Sequence, residues 1–334
     1  MIPRTLPTWQ LKSWQDELSQ LIQSPEDLFA RLNLDPQHLA AAQRAAQLFP
    51  LRVTDSFVRR MQPGNLDDPL LRQVLPLGCE FDEAIGYSND PLGEAQTNPV
   101  PGIVHKYHGR VLLIAATHCA IHCRYCFRRH FPYAQNHLSR EQWAASLDYV
   151  RCDTSISEVI LSGGDPLAQG DKQLAWLIEQ LEAIPHLQRL RIHSRLPVVL
   201  PSRITPELVS LLSHSRLQPV LVIHCNHPQE VDEEVLAALQ ELKHAGLTLL
   251  NQCVLLRGVN DELATLVALS ESLFRAQVLP YYVHLLDKVQ GAAHFAVTED
   301  RARELHQGML AKLPGYLVPR FVKEISQEAS KTPL

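Results

Sequence analysis

No apolar run in this chain approaches the roughly 18 to 20 residues that cross a bilayer. The opening segment, Met1-Ile-Pro-Arg-Thr-Leu-Pro7, lacks the apolar stretch of a signal peptide. Positive charge is not in surplus either. Lys and Arg number 31 against 36 Asp and Glu, a formal net charge of −5, so no broad basic surface for nucleic acid is expected. No internal repeat or low-complexity tract is apparent. The 7 cysteines are odd in number and three of them cluster. That argues against a disulfide framework and for a reducing, cytoplasmic compartment. What remains is a soluble enzyme of 334 residues, enough for one large domain with a smaller attachment.

The chain divides near residue 100. Residues 8–62 read as helical, with amphipathic stretches over 14–22, 25–32 and 36–48, and Ser24-Pro25 and Asp35-Pro36 as N-cap and N1 pairs. Residues 63–104 are broken repeatedly by Pro and Gly. From residue 110, β-branched and apolar runs (111–117, 158–162, 189–193, 220–224, 248–255, 278–285) alternate with amphipathic segments (140–150, 172–184, 206–213, 232–245, 261–276). Six strands separated by helices predict an α/β fold with a parallel sheet and right-handed crossovers. The unusual polar residues fall at or just after the strands: Cys119, Gly163-Gly164-Asp165, Ser194-Arg195, His224 to His227, Gln252 and Asp287. Clustering at the C-terminal ends of strands is how a (β/α) barrel builds an active site. Six units predict a partial, open (β/α)6 barrel over 105–316, preceded by a helical extension and linker (1–104) and followed by a tail (317–334).

Three motifs carry chemistry. Cys119-Ala-Ile-His-Cys123-Arg-Tyr-Cys126 has the spacing C-x3-C-x2-C. Three thiolates on one loop can hold three irons of a [4Fe–4S] cluster and leave the fourth open to a ligand. The competing readings are incidental core cysteines, or a zinc site that borrows His118 or His122. The other cysteines, Cys79, Cys152, Cys225 and Cys253, read as small packing residues. Leu161-Ser-Gly-Gly-Asp-Pro166 follows the second strand, and its glycines let backbone approach a ligand closely. Taken alone it is also an ordinary turn. Lys331, near the end of a tail polar in composition, reads as an exposed lysine unless a pocket holds it.

The C-x3-C-x2-C spacing and the Gly-Gly-Asp-Pro element resemble those of radical S-adenosylmethionine (SAM) enzymes. Over about residues 50–334 the chain resembles one family of them more closely: the lysine 2,3-aminomutase family, which also uses pyridoxal 5′-phosphate (PLP). The resemblance rests on Lys106-Tyr-His-Gly-Arg110, residues 119–130 (CAIHCRYCFRRH), 161–166, 191–205 (RIHSRLPVVLPSRIT), 224–228 (HCNHP) and 251–261 (NQCVLLRGVND). It continues through 280–295 (PYYVHLLDKVQGAAHF), Val318-Pro319 and Lys331-Thr-Pro333. The wording of 123–133 (CRYCFRRHFPY) and 286–295 (LDKVQGAAHF) resembles that of a short bacterial branch that supplies β-lysine for modifying elongation factor P.

The resemblance implies roles residue by residue. Cys119, Cys123 and Cys126 match the cluster ligands, and Gly163, Gly164, Asp165, His224 and Gln252 match positions around SAM. Lys331 matches the lysine that binds PLP covalently, although the family's glycine-rich run before it reads here Ser326-Gln-Glu-Ala-Ser330. Arg110 and Tyr107 match the PLP phosphate region, and Lys106 stands where longer enzymes have arginine. Arg128 matches the group that holds the substrate carboxylate. Asp287 and Glu324 match two carboxylates around the substrate ε-ammonium, the second being Asp in longer enzymes. Each has a plainer reading: Arg128 and Arg129 as surface charges, Asp287 as a helix cap, and His224, His227 and Gln252 as packing groups.

The implied activity is an isomerase that converts L-lysine to β-lysine by a 5′-deoxyadenosyl radical and a 1,2-amino shift on PLP. The implied partners are a flavodoxin- or ferredoxin-type reductant, the ligase that modifies elongation factor P, and further copies of the chain in a homo-oligomer. Neither nucleic acid nor a membrane is expected. The rivals are another amino-acid 2,3-aminomutase such as one for glutamate, a radical SAM maturase without PLP, and an Fe–S electron carrier.

Overall fold

The structure is a computed structural model that describes residues 13–94, 97–131, 140–325 and 328–334. Among the described residues, five short helices build the N-terminal region: α1 (Trp14–Ser19), α2 (Pro25–Leu32), α3 (Leu39–Leu48), α4 (Asp55–Val58) and α5 (Pro69–Arg72). Their starts are set by side chains that accept orphan backbone N–H groups: Ser24 from Asp27 N, Thr54 from Phe57 N, and Asp68 from Leu70 N and Leu71 N. Asp35 caps a 3₁₀ turn, Pro36–His38, that leads into α3. Leu28, Phe57, Leu70, Leu71 and Val74 form a core here that also takes in Ile121 and Val199. The region therefore packs on the loops at one end of the sheet.

Among the described residues that sheet has nine strands in sequential order: β1 (Ile103–Tyr107), β2 (Arg110–Ala116), β3 (Glu158–Gly163), β4 (Arg189–Ser194), β5 (Gln218–His224), β6 (Thr248–Val254), β7 (Leu279–His284), β8 (Arg320–Lys323) and β9 (Thr332–Pro333). β2 to β8 pair in parallel, and β1 and β9 join antiparallel at the two edges, so the sheet stays open. The six predicted strands are β2 to β7. Between the parallel strands run α6 (Arg140–Cys152), α7 (Asp171–Glu182), α8 (Leu196–Val199), α9 (Pro206–Ser213), α10 (Glu233–His244), α11 (Leu263–Arg275) and α12 (Glu299–Lys312). α7 turns Leu174, Leu177, Ile178 and Leu181 inward, the spacing of one helical face. α11 does the same with Leu266, Leu269 and Leu273. They meet alternate strand residues such as Leu113, Leu161, Leu190, Ile192, Leu221 and Ile223 in one core.

Three readings change. The tail is not simply solvated: Phe321 and Val322 are buried, and β8 extends the parallel sheet by pairing Val283 with Phe321. α12 escaped notice because its apolar stripe is thin, with only Ala302, Leu305 and Met309 buried. Cys225 and Cys253 are buried packing residues, whereas Cys152 is exposed.

Glu80, just after the helical region, accepts from Arg124 Nε at 2.8 Å and Nη2 at 2.5 Å and from Arg129 Nη2 at 2.7 Å. All three side chains are shut off from water. Removing one partner of a buried ion pair strands the other, at about 3–5 kcal/mol. Glu80→Ala is therefore expected to lose about that much stability in urea unfolding; a loss under about 1 kcal/mol, typical of an exposed pair, contradicts the reading.

Candidate active site

The predicted polar residues converge at the C-terminal ends of the strands. After β2 the chain turns repeatedly, with Cys126 N donating to Cys123 O at 3.0 Å and Arg129 N to Cys126 O at 3.1 Å. The loop is pinned from the helical region by His122 N to Arg52 O (2.8 Å) and Arg124 N to Gln73 O (2.9 Å). On its other side it lies against the turn after β3. Gly164 N donates to Ala116 O at 2.7 Å and Asp165 N to His118 O at 2.9 Å. A Cβ on Gly164 would sit 2.4 Å from His118 O, and one on Gly163, at φ +109°, 2.5 Å from Ala116 O. The two glycines are there because backbone meets backbone.

Burial pushes the Cys119 thiol well up, and Asp165, Cys126 and Cys123 push it further; burial and then Cys123 push Cys126 up to about 12. The three sulfurs are thus close enough to feel one another, and they become thiolates readily only beside a cationic group. No three His, Cys, Asp or Glu side chains among the described residues converge on a single ion, and His122 Nδ1 is engaged by Pro50 O at 2.9 Å. The donor set fits an iron–sulfur cluster, which takes one thiolate per iron, better than it fits a lone zinc.

Asp165 is buried, and its carboxylate accepts from Ser194 Oγ and Arg195 N at 2.7 Å, Leu167 N at 3.0 Å and Leu196 N at 3.1 Å. Those donors consume the side chain expected at SAM, so Asp165 acts as a scaffold, and the turn offers a ligand its backbone. His224 sits beside Tyr125, Nε2 to Oη 2.9 Å, and burial holds it well below the usual imidazole range, hence neutral. Gln252 pairs in register with His224, and its amide has no partner among the described residues. His227 is spent locally, its Nδ1 accepting from Gln229 N at 3.2 Å.

A second group of side chains lies across the same sheet face. Residues of alternate parity bring Arg191, His193, Tyr282 and His284 onto it. Lys331 Nζ lies 2.6 Å from Glu324 Oε2 and 5.9 Å from the Tyr282 ring centre; Lys106 Nζ lies 3.4 Å from Glu324 Oε1. Burial pulls Glu324 up, but the charge and hydrogen bond of Lys331, then Lys106, prevail and hold it at about 2. Asp287 differs. Its carboxylate has no hydrogen-bond partner among the described residues, and burial, then Glu324, push it to about 7 against the pull of Lys331 and Lys106.

The Arg110 guanidinium stacks over Tyr107 at 4.8 Å and has no hydrogen-bond or ion-pair partner among the described residues. Arg128 is the reverse case. It is buried, not a surface charge, and its Nε and Nη2 grip Glu94 at 2.8 and 2.7 Å, while Nη1 reaches Ser162 Oγ at 3.2 Å. The Nε2 atoms of His193 and His284 are buried without partners. An unbonded guanidinium, two orphan imidazole nitrogens, aromatic rings and a lysine fit a flat, anionic, hydrogen-bonding cofactor such as PLP.

Residues 113–269 match the radical SAM superfamily. The chain is 53% identical to the L-lysine 2,3-aminomutase of Escherichia coli K12 over 99% of itself and 96% of that protein. It is 49% identical to the one from Haemophilus influenzae (96% and 95%), and 36% identical to that of Acetoanaerobium sticklandii (96% and 78%). The chain belongs to the lysine 2,3-aminomutase family. It is accordingly a radical SAM isomerase whose cofactors are a [4Fe–4S] cluster, SAM and PLP.

Several groups of this aminomutase were not picked out from sequence. Glu80 and Glu230 sit in short 3₁₀ turns (Gly78–Phe81 and Pro228–Glu230) and Glu94 in the linker, and they stand out only by the arginines they meet, Arg124 with Arg129, Arg195 and Arg128. His193 and His284 could have been found, since each stands at the end of a predicted strand with the parity of His224. The contact between the glycine turn and the cysteine loop yields a test. Gly164→Ala is expected to keep its circular dichroism yet bind several-fold less iron on anaerobic reconstitution; a full complement of iron would show that the loop tolerates the displaced backbone.

Proposed function

We propose that this chain is an L-lysine 2,3-aminomutase that converts L-α-lysine to β-lysine, and that its product serves the modification of elongation factor P. The observation that carries the substrate reading is Asp287, a buried carboxylate without a hydrogen-bond partner among the described residues, beside the Glu324–Lys331 pair. A substrate ammonium, the third beside Lys331 and Lys106, would give Asp287 a direct partner. The side chain of glutamate would instead add a third carboxylate, at high desolvation cost. At the other end Arg128 presents a fork already engaged by a carboxylate, Glu94, which a substrate carboxylate can replace in kind.

On this assignment Cys119, Cys123 and Cys126 hold the cluster. SAM lies by the Gly163–Gly164 backbone, His224 and Gln252. Arg110 and Tyr107 receive the PLP phosphate, and Lys331 anchors the cofactor. When bound, the cluster and SAM supply the 5′-deoxyadenosyl radical, and PLP supplies the conjugated system on which the amino group migrates. The chain itself orients and insulates. Arg128 fixes the carboxylate end, and Asp287 with Glu324 fixes the ammonium end. The substrate's Cβ is thereby held at a set place between them. Burial keeps His193 and His284 neutral, the latter at about 3, so they offer hydrogen bonds without adding charge. A small one-electron carrier of flavodoxin or ferredoxin type supplies the electron.

The test is anaerobic incubation of reconstituted enzyme with SAM, PLP, reductant and L-lysine, followed by amino-acid analysis. Asp287 is protonated below about 7 in the free protein and ionised above it, and only the ionised form pairs with an ammonium. kcat/KM for lysine is expected to rise as pH passes upward through about 7. A charge-assisted hydrogen bond is worth about 1.5–3 kcal/mol, so Asp287→Asn should lower kcat/KM by about one to two decades and flatten that rise. An unchanged profile in the variant sinks the assignment.

The elongation factor link rests on the likeness to the short bacterial branch. Deleting the gene should leave elongation factor P without its β-lysyl group until β-lysine is supplied. Normal modification in the deletion strain would remove the pathway claim and leave the aminomutase reading in place.

A further inference from the structure

Arg195 follows β4 and is buried, yet none of the roles above uses it. Its Nη1 lies 2.7 Å from Cys123 Sγ and 2.7 Å from Tyr125 Oη; its Nη2 lies 2.7 Å from Gln73 Oε1 and 3.1 Å from Glu230 Oε2. Asp165 grips its backbone N–H at 2.7 Å. The guanidinium also stacks over Phe57 at 5.3 Å and Tyr125 at 5.8 Å. Rings and acceptors from four segments thus hold it in one place.

Two features separate this arrangement from an ordinary buried ion pair. Glu230 already has Asn226 N, His227 N and Gln73 Nε2 as donors, at 3.0, 3.1 and 3.0 Å, and it meets Arg195 by one oxygen only. The guanidinium is not turned for a bidentate grip, and its Nε is left buried without an acceptor. Arg129 beside Glu80 also leaves its Nε buried without an acceptor; at Arg195 the same kind of orientation aims Nη1 at a cysteine sulfur.

We propose that Arg195 raises the reduction potential of the cluster by donating a charged hydrogen bond to the sulfur of Cys123. It is a positioning residue that acts through Cys123, and the proposal rests on Cys123 being a cluster ligand. Reduction takes the cluster from [4Fe–4S]2+ to [4Fe–4S]+ by one electron, drawn from dithionite in the test. The added negative charge spreads onto the thiolates. A fixed cation in a poorly solvated site stabilises the reduced form more than the oxidised one, and hydrogen bonds to sulfur act in the same direction. Tyr125, the aromatic before the last cysteine, has its hydroxyl within reach of Arg195 Nη1, Asn226 Nδ2 (2.6 Å) and His224. It braces the guanidinium from the side.

The experiment is an EPR-monitored redox titration of the reconstituted enzyme, with dithionite and mediators, on wild type, Arg195→Gln and Arg195→Lys, with iron content measured on each. Arg195→Gln is expected to shift the reduction equilibrium about tenfold toward the oxidised cluster, about 59 mV more negative for one electron. Arg195→Lys, which keeps the charge but not the fork, should fall between the two. An Arg195→Gln enzyme with full iron and the wild-type potential overturns the proposal. If that variant retains too little iron, Arg195→Lys decides: a lowered potential supports the proposal and an unchanged one overturns it. Cys123→Ala keeps the two readings apart, because full iron and an unaltered potential in that variant would mean Cys123 is not a ligand.

Discussion

Charge removed from water at the mouth of an open sheet is the constraint on which the rest of this structure depends. Arg124, Arg128 and Arg129 sit in or next to the cysteine loop, and Arg195 sits at the next strand end but one. Each is paired with a carboxylate far away in the chain: Glu80 for Arg124 and Arg129, Glu94 for Arg128, Glu230 for Arg195. Buried ion pairs contribute little net stability against an apolar replacement, but a single misplaced partner is expensive. Their effect is therefore to admit one conformation of the loop. The linker supplies two of these carboxylates, Glu80 and Glu94, and the barrel supplies Glu230, so the loop is correctly set only when both are docked.

On the proposed assignment, the same logic explains why the substrate groups look occupied. Arg128 holds Glu94, and Glu324 holds Lys331 and Lys106. A site built for a molecule with a carboxylate at one end and an ammonium at the other would carry strong uncompensated charge when empty. This chain neutralises itself with groups of matching sign. Binding then exchanges one ion pair for another of similar strength, and selectivity comes from geometry and from Asp287, whose carboxylate has no hydrogen-bond partner among the described residues. Burial, then Glu324, push it up to about 7 against the pull of Lys331 and Lys106.

The strand and helix alternation from residue 110 onward was readable because period-two and period-3.6 patterns are local, and the N-terminal helix starts were readable because Ser24 and Asp35 cap by contacts a few residues long. The cysteine spacing was readable for the same reason. Charge pairing was not. Arg128 and Glu94 are 34 residues apart and Arg124 and Glu80 are 44 apart, and neither partner carries a local mark. Asp165 shows the opposite failure. A motif pointed to a ligand, while three backbone donors and one hydroxyl from the protein claim the carboxylate.

Lys331 shows how a position can be kept after its local motif is lost. The glycine-rich run is absent here, yet β8 and β9 pair Val322 with Pro333 and Lys323 with Thr332, and Leu334 N donates to Phe321 O at 3.1 Å. One further step in that antiparallel register places Glu324 opposite Lys331, the pair observed at 2.6 Å. Phe321 in turn is buried against β7. The lysine is thus located by strand pairing onto the core, which depends on Phe321 and Val322 rather than on the residues that precede Lys331. The same register also sets an order of events. On the proposed assignment Glu324 serves both Lys331 and the substrate ammonium, so Lys331 must leave Glu324 for the cofactor before the substrate can take its place.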